Sequence, residues 1–295
     1  MTACLLTFDV EDWFQVENLR PLFPPESWES MSRRVTASTR VILRLLEEQR
    51  IPATFFILGW VAEHEPALVE EIAAAGHEIA SHGYGHILPL ALAPGEFRTD
   101  VLRARSVLET VSRREVVGYR APSFSIDRKR LAILADCGFR YDSSHHPFAL
   151  HGRYGRLGEP GSRIWPGVYR VDGKMIELEL PVEKVGPLRL PASGGGYFRL
   201  YPGSLFRHLA RKAADRMGHF IMYLHSWEFD PGQPRVRKAG LFRTFRHYNN
   251  LSRTLARIER LITMMKGMDA RFLTASQFLQ EIGNGCTSES PAPSS

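Results

Sequence analysis

Residues 3–12 read Ala3-Cys4-Leu5-Leu6-Thr7-Phe8-Asp9-Val10-Glu11-Asp12. An apolar run that breaks into acids predicts a buried strand over residues 3–8 that ends at Asp9. Asp9, Glu11 and Asp12 repel one another unless a cation or a base offsets their charge. A solvated turn or a helix-capping cluster is the plain explanation for such acids. Their position directly after a buried strand favours a site instead. Two residues apart, Asp9 and Glu11 share a face if the strand continues, and Asp12 then caps the next turn beside Trp13. If the chain turns after Val10, Asp12 swings in and Glu11 faces outward.

Outward from this stretch, apolar runs alternate with amphipathic ones. Val41, Ile42, Leu45 and Leu46 form a helical stripe within Thr36–Arg50, and Ala53–Leu58 reads as the next strand. Helix Pro66–Ala75 is stopped by Gly76, and strand His77–Ser81 follows. Pro94–Ser112 is a long helix, Val116–Tyr119 a strand, and Asp127–Cys137 a helix capped by Asp127 and ended by Gly138. Residues 142–200 are richer in Gly and Pro, with strands at Val168–Val171 and Met175–Leu180 around an Asp172-Gly173 turn. They read as an elaborated insertion rather than a separate domain. Helix Pro202–Met217, strand Phe220–Leu224, a long helix Phe242–Met265, strand Phe272–Leu273 and helix Ala275–Ile282 resume the alternation. Repeated βα units predict an α/β fold with a parallel sheet and helices outside, open or closed into a barrel. The expectation is a single domain over residues 1–283 with a disordered tail at 284–295. Sites in such folds lie at the carboxyl ends of strands.

Apolar residues make up 44% and charged residues 24% of the 295, which excludes disorder and coiled coil for the bulk of the chain. Three scattered cysteines (Cys4, Cys137, Cys286) supply neither a disulfide framework nor a CxxC zinc site. The net charge of +6 reads as a basic surface spread along the chain, either simply solvated or set against a membrane or an anionic polymer. No basic run has the interleaved aromatics of a nucleic-acid groove. Met1 leads straight into the first strand with no basic n-region, and no apolar stretch has membrane-helix length, so a cytoplasmic location is expected.

Three further stretches end on strands. In Ser81-His82-Gly83-Tyr84-Gly85-His86, two histidines four apart can meet one ion from a Gly-loosened loop. In Gly118-Tyr119-Arg120-Ala121-Pro122-Ser123, the proline fixes a turn that would hold Arg120 where its planar fork can grip a carboxylate. In Tyr223-Leu224-His225-Ser226-Trp227-Glu228, a buried strand delivers a histidine to its carboxyl end. Alone, each has a bland alternative: chance exposed histidines, a surface arginine, a satisfied core histidine. Together, two histidines and a carboxylate with open positions make a facial site for a divalent metal. Ser193-Gly194-Gly195-Gly196-Tyr197 lacks the lysine of a phosphate loop and reads as a turn or active-site loop. His145 and His146, near Asp142, read as a solvated loop ahead of the alternative of substrate contact, and Trp13, Tyr84 and Trp227 as core or sugar-stacking aromatics.

In this order, the four pieces resemble the polysaccharide deacetylase family (NodB homology, carbohydrate esterase family four) over residues 3 to about 230. Asp-Val-Glu-Asp-Trp at the start and Arg-His-Tyr-Asn-Asn at Arg246–Asn250 resemble its exosortase-associated branch, linked to exopolysaccharide production. The resemblance implies a distorted (β/α) barrel and a metal-dependent hydrolase that removes N-acetyl groups from the amino sugars of an oligo- or polysaccharide. It implies a divalent metal, zinc by preference, held by His82, His86 and a carboxylate. The family's second aspartate falls on Val10, so Glu11 or Asp12 must replace it, with Glu11 favoured for its reach. It further implies Asp9 as general base, Arg120 orienting it, His225 as general acid, and Asp142 as the carboxylate that favours the charged form of His225. The family's usual Trp after that aspartate is Ser143 here, and Tyr223 replaces its leucine. The rival readings are a hydrolase of another C–N bond (a cyclic amide or ureide), a non-catalytic carbohydrate-binding protein, and an iron oxygenase.

Overall fold

Strand β1 (Ala3–Val10) is buried along its whole length because it lies inside a sheet, hydrogen-bonded in parallel on both sides. Its alternate residues divide between two cores. Cys4, Leu6, Phe8 and Val10 point to the layer of helices, whereas Ala3 and Leu5 join an inner cluster with Phe56, Tyr141, Ile221 and Phe278. The inward column of β1 then turns polar at Thr7 and Asp9, both buried. The site begins where that column leaves the apolar interior.

The computed structural model describes residues 2–148, 155, 157–158, 160–236, 238 and 240–287. After β1 come α1 (Val35–Gln49), β2 (Thr54–Ile57), α2 (Gly59–His64), α3 (Pro66–Ala74), β3 (Glu78–Ser81), α4 (Pro94–Ser112), β4 (Gly118–Tyr119), α5 (Arg128–Asp136) and β5 (Tyr141–Asp142). There follow β6 (Ser162–Trp165), β7 (Val168–Val171), β8 (Met175–Leu178), β9 (Val182–Val185), β10 (Leu188–Pro191), α6 (Gly195–Leu200), α7 (Gly203–Met217) and β11 (His219–His225). The chain ends with α8 (Leu241–Tyr248), α9 (Thr254–Lys266), β12 (Arg271–Phe272) and α10 (Ala275–Thr287). The main sheet runs β11-β1-β2-β3-β4-β5-β8-β7-β6, with β12 also against β1. It is parallel from β11 to β8, and only β8-β7-β6 are antiparallel. The ladder does not close among the described residues. The Trp165 indole N–H at the end of β6 nevertheless donates to the Met217 carbonyl just before β11 (2.9 Å), drawing the two edges into a distorted barrel.

The expected alternation of strands and helices is present, and Asp127 caps α5 by accepting from the Arg130 amide (2.8 Å). Three expectations need correction. The long helix over Phe242–Met265 is two helices, broken at Asn249-Asn250, where Asn250 is left-handed (φ 54). The cause is Arg199, whose guanidinium takes the His247 and Asn249 carbonyls (3.0 and 2.7 Å). Residues 142–200 are not simply inserted, because β8 pairs with β5 and extends the main sheet; only the β9–β10 hairpin stands apart. The expected tail loses its first residues to α10, which reaches Thr287, and 288–295 lie outside the described residues.

Candidate active site

Parallel pairing carries on past the assigned strands. The His82 amide donates to the Ile57 carbonyl (3.0 Å), the Arg120 amide to Ser81 (2.9 Å), and the Ser143 amide to Tyr119 (3.0 Å). In register, Asp9 lies opposite His225. Asp9, His82, Arg120 and His225 are therefore delivered to one rim by adjacent strand ends. Asp9, His82 and His225, with Glu11 and His86, line a cavity of about 380 Å³.

Glu11, His82 and His86 each offer a ligand atom, and these atoms all lie within 4.8 Å of one another. The His82 Nδ1 lies 2.8 Å from the Arg120 carbonyl. A carbonyl only accepts, so Nδ1 carries the proton and Nε2 keeps its lone pair. Burial pushes the His82 imidazole down to about 4, so it stays neutral. Glu11 is steered by the Trp227 indole N–H, which donates to Oε1 (3.0 Å). Its Oε2 is 2.8 Å from His86 Nε2 but has no hydrogen bond among the described residues. A buried carboxylate oxygen with no donor, beside two imidazole nitrogens, is the donor set that fits a divalent cation. Against the burial that opposes its charge, the surrounding histidines hold the Glu11 carboxyl well below the usual range.

The structure does not bring Asp12 to this cluster. Its carboxylate accepts from the backbone amides of Trp13 (2.8 Å), Arg34 (2.7 Å) and Val35 (3.0 Å). Strand β1 stays extended to Val10, so Glu11 follows Asp9 inward and Asp12 turns to tie the start of α1. The metal role expected of Asp12 is corrected to a structural one.

Arg120 is fully buried and grips Asp9 through Nη1 and Oδ1 (2.8 Å). The same Nη1 donates to Thr7 Oγ1 (2.9 Å), and Nε and Nη2 donate to the Ser143 carbonyl and hydroxyl (both 3.0 Å). Ser143, where the family has tryptophan, thus locks the fork of Arg120. The other carboxylate oxygen, Asp9 Oδ2, faces His225 Nε2 at 3.8 Å, and Glu11 Oε1 lies equally far from that nitrogen.

Asp142 does not partner His225. It lies opposite Glu177 in the β5–β8 register, and its oxygens accept from the Ser144 amide and hydroxyl (3.1 and 2.8 Å). Burial raises both Asp142 and Glu177, and their mutual repulsion disfavours ionising the two together. The catalytic role expected of Asp142 is corrected to this buried pair. The carboxylate at His225 is Glu228: its Oε2 lies 3.3 Å from the ring Nδ1 and accepts from the His225 amide (2.9 Å). Burial opposes the His225 charge, but Glu228, Glu11 and Asp9 outweigh it and lift the imidazole to about 9. Glu228 is itself held down at about 2, since Arg199 and His225 overcome the effect of its burial. Arg199 Nε donates to Glu228 Oε1 (2.8 Å), and both side chains are buried.

Sequence reasoning missed Arg199 and gave Glu228 no role. The available signal was Glu228 three residues after His225 on a turn, and the run Gly194–Gly196 that ends three residues before Arg199. A Cβ on Gly195 would stand 1.7 Å from Glu228 Oε2, and one on Gly194 (φ 98) 2.4 Å from the Tyr223 hydroxyl. The glycine loop lets α6 begin flush against Glu228. Trp227 stacks between His225 (5.4 Å) and His247 (4.3 Å), and so packs behind the site. Trp13 is core, and Tyr84 lies under the Arg103 guanidinium (3.6 Å). His146 is buried beside Phe124 rather than solvated.

Residues 4–141 match the family described as Polysaccharide deacetylase. Over those residues, slightly less than half of the chain, it is similar to the polysaccharide deacetylase family. Residues 143–280 match a second family, described as a domain of unknown function (DUF3473). A peptidoglycan deacetylase of Helicobacter pylori is 30% identical over 125 residues, 42% of each chain. A chitooligosaccharide deacetylase of Sinorhizobium fredii is 31% identical over 118 residues, 40% of this chain and 45% of the other. The chain thus spans less than half the length of these curated relatives. A Mycobacterium smegmatis crystal structure named for a polysaccharide deacetylase superposes with a TM-score of 0.62 at 22% identity, covering 100% of this chain and 94% of that one, which establishes the shared fold.

Proposed function

We propose that the protein is a metal-dependent deacetylase that removes N-acetyl groups from the amino sugars of a polysaccharide or its precursor. The observation that carries this is the meeting of Glu11, His82 and His86 between Asp9 and His225. Relatives named as peptidoglycan and chitooligosaccharide deacetylases support the sugar amide as substrate. The match over 143–280 accords with the exosortase-associated branch and hence with exopolysaccharide synthesis as the setting. The N,N,O donor set supports zinc.

Glu11 Oε2, His82 Nε2 and His86 would hold the ion. When bound, such an ion polarises the acetyl carbonyl and makes water a nucleophile near neutral pH. Arg120 fixes Asp9 Oδ1, so Oδ2 is the atom that accepts the proton of the attacking water. His225 Nε2, protonated, gives its proton to the departing sugar amine. Glu228 takes the Nδ1 hydrogen bond and stabilises the imidazolium. Ser123, in left-handed backbone (φ 51) on the cavity wall, is the candidate to offer an amide to the developing oxyanion.

The test is acetate release from N-acetylated oligosaccharides with and without chelator. Release that stops on chelation and returns with zinc supports the reading. Release that ignores the chelator, or none at all, sinks it. His82→Ala and His86→Ala should each lose bound metal and nearly all turnover while remaining folded.

A further inference from the structure

Helix α8 carries a face that the site does not use. Leu241, Phe242 and Phe245 are 94%, 75% and 56% exposed, whereas His247 and Tyr248 on the opposite side are buried. At helical spacing the three apolar residues form one outward arc, with Arg246 and then Arg243 next around the helix. Three large apolar side chains bared on two turns are unfavourable in water unless something covers them. The surrounding charge says what. The expectation of positive charge spread evenly along the chain fails here: residues 231–258 contain seven Lys and Arg and no Asp or Glu. Arg235, Lys238, Arg243 and Arg246 make no ion pair among the described residues.

This face is continuous with the site, because Phe242, Arg243 and Arg246 also line the cavity. The inner side of the same helix is anchored to the catalytic layer through the His247 stack on Trp227. We infer that α8 seats the mouth of the site on an anionic lipid bilayer, apolar arc in the acyl boundary and arginines among the head groups. The substrate class that follows is an N-acetylated sugar carried on a membrane lipid; this part rests on the deacetylase reading above. The structure is suited to lying on a membrane rather than crossing it, since no described helix is long and apolar enough to span one.

The experiment compares the full chain with Leu241→Ser/Phe245→Ser, two exposed positions outside the cavity wall. The chain should sediment with phosphatidylcholine–phosphatidylglycerol vesicles and not with phosphatidylcholine alone, and salt should release it. The double variant should bind the mixed vesicles about tenfold or more weakly. Its acetate release from a soluble N-acetylated oligosaccharide should be unchanged, while release from an N-acetylglucosamine-bearing glycolipid in those vesicles falls by a similar factor. Wild-type chain that ignores mixed vesicles, or a double variant that binds like wild type, overturns the inference. Wild-type self-association that the double variant abolishes, without vesicle binding, also overturns it and makes the face an interface between copies. Vesicle binding as expected with no acetate release from any substrate upholds the docking surface and sinks the deacetylase reading alone.

Discussion

Arg120 and Arg199 invite comparison. Each is buried, and each holds a buried carboxylate at 2.8 Å, Asp9 in one case and Glu228 in the other. Arg199 spends its remaining donors on backbone carbonyls near a chain turn, whereas Arg120 divides its own between the Ser143 carbonyl and the Thr7 and Ser143 hydroxyls. Removing one partner of such a pair strands a charge and costs about 3–5 kcal/mol, so both are expected to be structural necessities. They differ in distance from the chemistry. Arg120 touches Asp9, the proposed base, whereas Arg199 reaches His225, the proposed acid, only through Glu228. The first pair lies in the segment that matches the deacetylase family except for Ser143, and the second lies wholly in residues 143–280. Under the proposed mechanism, one half of the chain would supply ligands and base, and the other the acid with its own electrostatic support.

The sharpest test of that division is Asp9→Asn. It should retain metal and lose about 10²–10⁴-fold in turnover, since an amide cannot take the proton. Metal content and acetate release, measured on the same preparation, check it; a modest loss would remove Asp9 from the chemistry. Glu228→Gln should cost less, about 10–100-fold in kcat. Its pH profile carries more information. His225 must be charged to donate, so activity falls as pH rises through its pKa, lifted to about 9 in the folded protein. Without the Glu228 anion that limb should move to lower pH. An unmoved limb would break the parallel between the two arginine pairs.

Gly195→Ala should fall next, about tenfold in kcat, because the new Cβ stands 1.7 Å from Glu228 Oε2 and the carboxylate must shift. A variant with full activity and an unaltered pH profile would show that Glu228 tolerates displacement. The smallest effect belongs to Asp12→Asn, which loses charge at the start of α1 but touches no ligand. It should cost about 1 kcal/mol, read as a melting temperature lower by about 2–4 °C, with zinc affinity unchanged. A loss of zinc affinity instead would return the ligand role to Asp12.

Most of the fold was legible because β1 to α5 obey local rules: apolar runs of strand length, caps such as Asp127, stops such as Gly138. His82, His86, Arg120 and His225 were legible because each directly follows or ends a buried strand. The choice between Glu11 and Asp12 was left open in sequence, since it turns on whether β1 stays extended at Val10. The partner of His225 was not legible. Asp142 stands at the right kind of strand end but is claimed by Glu177 across the sheet, a neighbour 35 residues away in sequence. Glu228 needs Arg199 to stay charged in a buried place, and that contact spans a break in a helix which periodicity alone would continue. Tertiary hydrogen bonds that outcompete local ones leave no periodic trace.

The placement of β1 also bears on how the chain is made. It precedes every other described strand along the chain, yet its main partner, β11, follows nearly all of them. At about 5–20 residues per second, roughly ten to thirty seconds separate completion of β2 from the emergence of β11. During that interval a strand of eight residues destined for full burial has one edge unpaired, the kind of edge that templates aggregation. That edge of β1 is therefore covered late, when β11 pairs with it. Asp9 and His225 meet only in that pairing, so the two sides of the cavity come together last.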